Sequence, residues 1–435
     1  MGFIEELTIL PAPGHLRLLS YVLIGTFLLH VPYMGLMLGC SLVSMLFNAA
    51  GRLRGNPTCV RFARDMIEAM ARYKSVGLIF GLVPQIVLVL TFAQVLFERN
   101  IFRIDIHMYV PAFVLLGLLF IYAYRWALTS GALRFEPTML LGLAGASFIM
   151  LGFLLFHGGI GIIVNPDGWA FDRAPPEFIV ASSVTPDYLR FLVLSLGLAG
   201  GWILFLKFGP PETRAADEED YLAFCRVAGM VMVGAYVAVQ PLLTLWYGLA
   251  QQVSAVSPAT LTLSAITLVV LFLTAFVMYS HRGRLESRLG LYVLPLLVAA
   301  YFAGAVDAHV LRQNATKEER SIVLAEGREA RDELMARLEG DLGEATSPER
   351  GRRVFEDRCS SCHRFDTKLV GPPLAEVLPK YVEAPEELKA FIENPVKIDP
   401  DYPPMPRLGL RSTEIEAVAA YLLQRIGGEG GTEGP

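Results

Sequence analysis

Charge is scarce in this sequence. Asp, Glu, Lys and Arg make up 18% of 435 residues, against about 25% in ordinary soluble domains. The shortage is uneven: residues 1–312 are apolar with short polar interruptions, whereas residues 313–435 have the composition of a soluble chain. Two regions of different class are therefore expected. Histidine and cysteine are also few, at seven and five. Cysteines this scattered exclude a disulfide framework; Cys40, Cys59 and Cys225 read as inert, and only Cys359 and Cys362 form a close pair. A net charge of -5 without a basic tract excludes nucleic acid as a partner. The first dozen residues hold Glu5 and Glu6 but no Lys or Arg. That is not the n-region of a cleavable signal peptide, so the first apolar run is expected to stay in the membrane.

What is present is a series of long apolar runs. A membrane-spanning helix needs about 20 mostly apolar residues, and eight runs qualify: 17–46, 75–97, 108–128, 136–163, 188–208, 226–249, 258–280 and 289–311. Pro32, Pro84, Pro111, Pro241 and Pro295 lie inside them, which membrane helices tolerate. Basic residues gather in alternate loops: Arg52, Arg54, Arg61, Arg64, Arg72 and Lys74; Arg125 and Arg134; Lys207, Arg214 and Arg226; Arg282, Arg284 and Arg288. The other loops hold only Arg99, Arg103 and Arg173, with Arg190 just inside the fifth run. By the positive-inside rule the first set is cytoplasmic and both termini are outside.

Residues 359–363 read Cys-Ser-Ser-Cys-His. Two thiols at this spacing each form a thioether to a haem vinyl group, and the adjacent His363 reaches the iron. A zinc site would need a second ligand pair, and His363 is the last histidine of the chain. A thioredoxin-like site would need a βαβ pattern, which is absent. One methionine follows, Met405 in Tyr-Pro-Pro-Met-Pro. By elimination it is the candidate sixth ligand, the alternative being an ordinary loop methionine. His/Met ligation raises the potential of a haem.

Ser347 with Pro348 signals a helix start before this motif, and residues 413–425 form an amphipathic helix. Gly371-Pro372-Pro373-Leu374 resembles the stretch that packs on the histidine side in class I cytochromes c. That resemblance covers about 347–426. It implies one covalent haem c, with Cys359 and Cys362 as attachment sites and His363 and Met405 as axial ligands, attached outside the cytoplasm. The expected fold is all-α: a polytopic bundle over 1–312, a charged helical linker over 313–346 with a capping box at Thr316 and Glu319, and a small cytochrome c domain over 347–435.

Titratable residues inside spans mark candidate sites. At ~1.5 Å per residue, His157 and His309 lie within roughly 10 Å of the outer edge and His30 about 20 Å deep. These three are the candidate haem b ligands. His15, His107 and His281 read as helix-end residues, and Asp307 accompanies His309. His30-Val-Pro-Tyr-Met-Gly-Leu-Met-Leu-Gly39, Gly77-Leu-Ile-Phe-Gly81 and Asn165-Pro-Asp-Gly-Trp169 resemble segments of cytochrome bd oxidase subunit I. The departures are specific. The fifth span has no histidine or methionine, residues 108–128 have no acid, and the loop from Gln251 to Ser257 is short.

The resulting expectation is a multi-pass protein of a bacterial inner membrane with its cytochrome on the periplasmic side. It acts as the electron-transfer subunit of a respiratory complex. Electrons pass between a membrane haem b, quinol or partner subunit and a periplasmic cytochrome or other redox protein. A bd-like oxidase or reductase, and a haem-free anchor or transporter with an appended cytochrome, stand as the alternatives.

Overall fold

The computed structural model describes residues 12–96, 107–163, 184–209, 218–251, 255–282 and 288–428. Arg99, Arg103, Arg173, Arg214, Arg284 and the segment Asn165 to Trp169 lie outside them. Contacts divide the chain into two units, Met1–Glu326 and Gly327–Pro435. The described residues form helices and no strand.

Among the described residues, the first unit holds eight helices long and apolar enough to cross a membrane. α1 is Pro13–Arg54 and ends where Gly55 turns left-handed at φ 65°, a conformation that costs glycine little. Asn56 then caps α2, Pro57–Ala71, by accepting from the Thr58 amide at 2.9 Å. The second membrane segment begins with the short α3, Lys74–Gly77, passes through a π turn, Leu78–Leu82, and continues as α4, Val83–Leu96. Then follow α5, Val110–Ser130; α6, Phe135–Ile163; α7, Val184–Phe208; α8, Glu219–Leu249; α9, Pro258–Ser280; and α10, Leu289–Ala315.

α1 and α8 run beyond their apolar cores into polar sequence. The last turns of α1 carry Asn48, Arg52 and Arg54 before the stop at Gly55, and α8 starts at Glu219 rather than at Arg226.

α7 is central, packed against α1, α8 and α10. The backbones nearly touch at glycines: a Cβ on Gly39 would stand 2.0 Å from the Ser195 carbonyl oxygen, and one on Gly290 2.2 Å from that of Leu204. Small residues permit such approach where apolar burial alone gives membrane helices little reason to associate. Gly145 similarly packs against Ile121 and the Gly117 carbonyl, joining α5 to α6. Large apolar side chains such as Phe272 and Leu249 point outward at 75% and 77% exposure, as a lipid-facing surface requires.

α2 lies across one end of this bundle and is fastened by charge. Glu68 accepts two hydrogen bonds from the Arg125 guanidinium, at 2.6 and 2.8 Å. Asp65 pairs with Lys207 at 2.9 Å and accepts from the Tyr221 hydroxyl at 2.7 Å. The basic loops after the first, third and fifth spans therefore meet at one end.

α11, Lys317–Ala345, follows. The Thr316 hydroxyl donates back to the Arg312 carbonyl at 2.8 Å, closing α10; the Glu319 side chain lies outside the described residues. In the second unit come α12, Pro348–Arg358; α13, Leu374–Val377; a 3-10 turn, Pro379–Tyr381; α14, Pro385–Glu393; and α15, Ser412–Gly428. Ser347 caps α12 by accepting from the Arg350 amide, with Pro348 in the first turn. α12 crosses α15 at Gly351, whose Cβ would lie 1.9 Å from the Ala417 carbonyl oxygen.

Candidate functional site

The α12–α15 crossing sets the floor of a cavity. α12 ends at Arg358, and the next five residues turn back on themselves: the Cys362 amide donates to Cys359 O at 3.1 Å and the His363 amide to the same oxygen at 3.0 Å. This turn places Cys359, Cys362 and His363 on one wall. The Gly371 amide donates to the Cys362 carbonyl at 2.9 Å, folding Gly371 onto the His363 ring.

Tyr402 to Pro406 also line the cavity, Met405 among them. Leu374, Leu378, Leu388, Ile392, Val418 and Leu422 complete an apolar interior. The cavity measures about 290 Å³.

Both cysteines are free thiols. Burial, with Cys362 close by, pushes the Cys359 thiol up to about 11. Burial also holds His363 below the usual histidine range, partly offset by the Pro372 carbonyl. Its Nδ1 is buried and meets no partner in good hydrogen-bond geometry.

Residues 348–425 match the family model for cytochrome c. The C-terminal unit contains a cytochrome c domain. No curated protein and no solved structure matches the chain. The family match implies a covalently bound haem, and the residues present fit one. A large apolar cavity carries two free thiols, an imidazole and a thioether on its walls. Such a group would supply one-electron redox chemistry. Cys359 and Cys362 would hold it covalently, His363 and Met405 are placed on the lining where they would face the iron, and the surrounding leucines and isoleucine would exclude water.

The membrane histidines stand differently. His30 is fully buried between two partners: Nδ1 lies 3.2 Å from the Phe80 carbonyl and Nε2 2.8 Å from Gln85 Oε1. The sequence explains the first. Pro84 has no N–H to give the carbonyl four residues earlier, so the Phe80 oxygen is available to His30. Turning the Gln85 amide would let its unpartnered Nε2 donate to His30, which gives a neutral ring with both nitrogens satisfied.

His309 Nε2 lies 2.8 Å from the Gln313 amide nitrogen, which donates to it. His157 donates through Nδ1 to Asp187 at 2.8 Å and leaves Nε2 buried without a partner. His157 and His30 both flank the Phe153 ring, at 6.2 and 5.6 Å. The cavity beside His157 is about 70 Å³, a quarter of that in the cytochrome c domain. Of the three candidate haem b ligands, His157 lines this cavity, and His30 and His309 are not on its lining.

His107 packs its ring against Gly159. His281 ends α9, its ring 2.9 Å from the Val277 carbonyl. Asp307 accepts from the Ser264 hydroxyl at 2.8 Å. Four polar residues escaped the sequence reading: Gln85, Asp187, Gln240 and Arg312. Two of them fall one residue outside runs drawn at 188–208 and 289–311.

Proposed function

We propose that this chain is a membrane-bound electron carrier. Its cytochrome c domain, on the periplasmic side of a bacterial inner membrane, exchanges electrons between a membrane donor and a soluble periplasmic redox protein. The donor is a quinol or a partner subunit of a respiratory complex. The observation that carries this reading is the convergence of Cys359, Cys362, His363 and Met405 on one apolar cavity. They converge in a chain whose described residues also include eight membrane-length helices.

Support for the orientation comes from charge. The loops richest in Arg and Lys meet at the end where α2 pairs with Arg125 and Lys207, and basic ends face the cytoplasm. An even number of spans then leaves the termini on the other side.

Sealed spheroplasts test this. With the haem reduced, membrane-impermeant ferricyanide added outside should oxidise it promptly. Oxidation only after the membrane is permeabilised would sink the proposal.

A further inference from the structure

A second, smaller cavity lies among α1, α6, α7, α8 and α10. His157, Gln240 and Arg312 line it and are buried at 8%, 5% and 8% exposure. Two guanidinium groups, Arg190 and Arg312, face a single lining carboxylate, Asp187.

That carboxylate is already engaged. Its Oδ2 accepts from His157 at 2.8 Å and its Oδ1 lies 3.5 Å from Arg190. No described carboxylate comes within ion-pair distance of Arg312: Asp187 acts on it only from further off and is shared with His157 and Arg190, and the Phe27 ring lies 5.0 Å from its guanidinium carbon. Asp307 lies off the lining, held by Ser264. Arg190 Nε and Gln240 Oε1 are also buried without partners. A buried cation is costly unless a counter-charge and hydrogen bonds compensate it.

We propose that this cavity binds a small monovalent anion of carboxylate size, held by Arg312 and Arg190. Guanidinium forks match the paired oxygens of a carboxylate. The Gln240 amide, turned about its axis, adds a donor. The cavity of about 70 Å³ limits the ligand to a handful of atoms, since one water needs about 10–15 Å³ of such space. Formate and acetate are therefore the suitable probes. The proposal does not depend on electron transfer: protein with haem and protein lacking it should bind the anion alike.

The test uses the full-length protein in detergent, in low-halide buffer, with formate as titrant and calorimetry as readout. Wild type should show saturable binding, and Arg312→Gln should weaken it about ten- to a hundredfold, as expected for a lost charge-assisted hydrogen bond. Arg312→Lys should fall between. Crystals soaked in bromide should show an anomalous peak beside Arg312, which decides the matter even if Arg312→Gln fails to fold. No saturable binding by wild type, equal binding by Arg312→Gln, or bromide only elsewhere would overturn the proposal.

Discussion

A Cβ on Gly371 would stand 2.4 Å from Cε1 of His363 and 2.7 Å from its Nδ1. Glycine at 371 is thus a condition for the imidazole to lie where it does, against the chain that folds back onto Cys362. Gly371→Ala must push the ring or the loop aside. Overpacking of this kind costs about 1–3 kcal/mol, and the haem potential should shift with the displaced ligand. Gly427→Ala, at a position with open space around it, is the control and should change neither unfolding midpoint nor potential.

Met405 lines the same cavity as Cys359, Cys362 and His363. Met405→Ala should leave covalent haem content unchanged. It should lower the reduction potential and let the ferrous protein bind carbon monoxide, since the thioether that closes the sixth position is gone. Optical titration reads both. A variant with unaltered potential and no carbon monoxide binding would remove Met405 from the ligand set.

His30 satisfies the carbonyl that Pro84 leaves open. His30→Leu should destabilise the bundle by about 1–3 kcal/mol, the cost of leaving buried polar groups unpaired, with the haem-to-protein ratio unchanged. A fall in that ratio would mark His30 as an iron ligand.

The Arg125 guanidinium beside Glu68 holds its carboxyl below the usual carboxylate range, against the opposing effect of burial. The depressed value means that the pair's stabilisation is fully present above the unfolded carboxyl value of about 4.3. It is lost as pH falls through the lower folded value. Comparing melting midpoints of wild type and Glu68→Gln across pH checks this. The difference should be largest near neutrality and disappear in acid.

The membrane helices were legible because apolar runs of this length have few other destinations, and the haem motif because its spacing is specific. Helix ends were harder. α1 continues to Arg54 because nothing stops it before Gly55, and the signal was present as Gly55-Asn56-Pro57. The capping box at Ser257 and Thr260 was less readable, because Thr stands where the usual signature has Glu or Gln. The polar pairs were not legible. His157 and Asp187 are thirty positions apart on different helices, and only packing brings them together. The partners of His30 likewise depend on a π turn, whose hydrogen bonds leave no apolar period to detect.

The most direct test is the haem itself. A pyridine haemochrome spectrum of the full-length protein, followed by denaturing electrophoresis with haem staining, should show one c-type haem per chain that remains with the polypeptide. Replacing both Cys359 and Cys362 by Ala should abolish the stain. Wild-type protein without covalent haem, or a stain that survives the double replacement, would contradict the account.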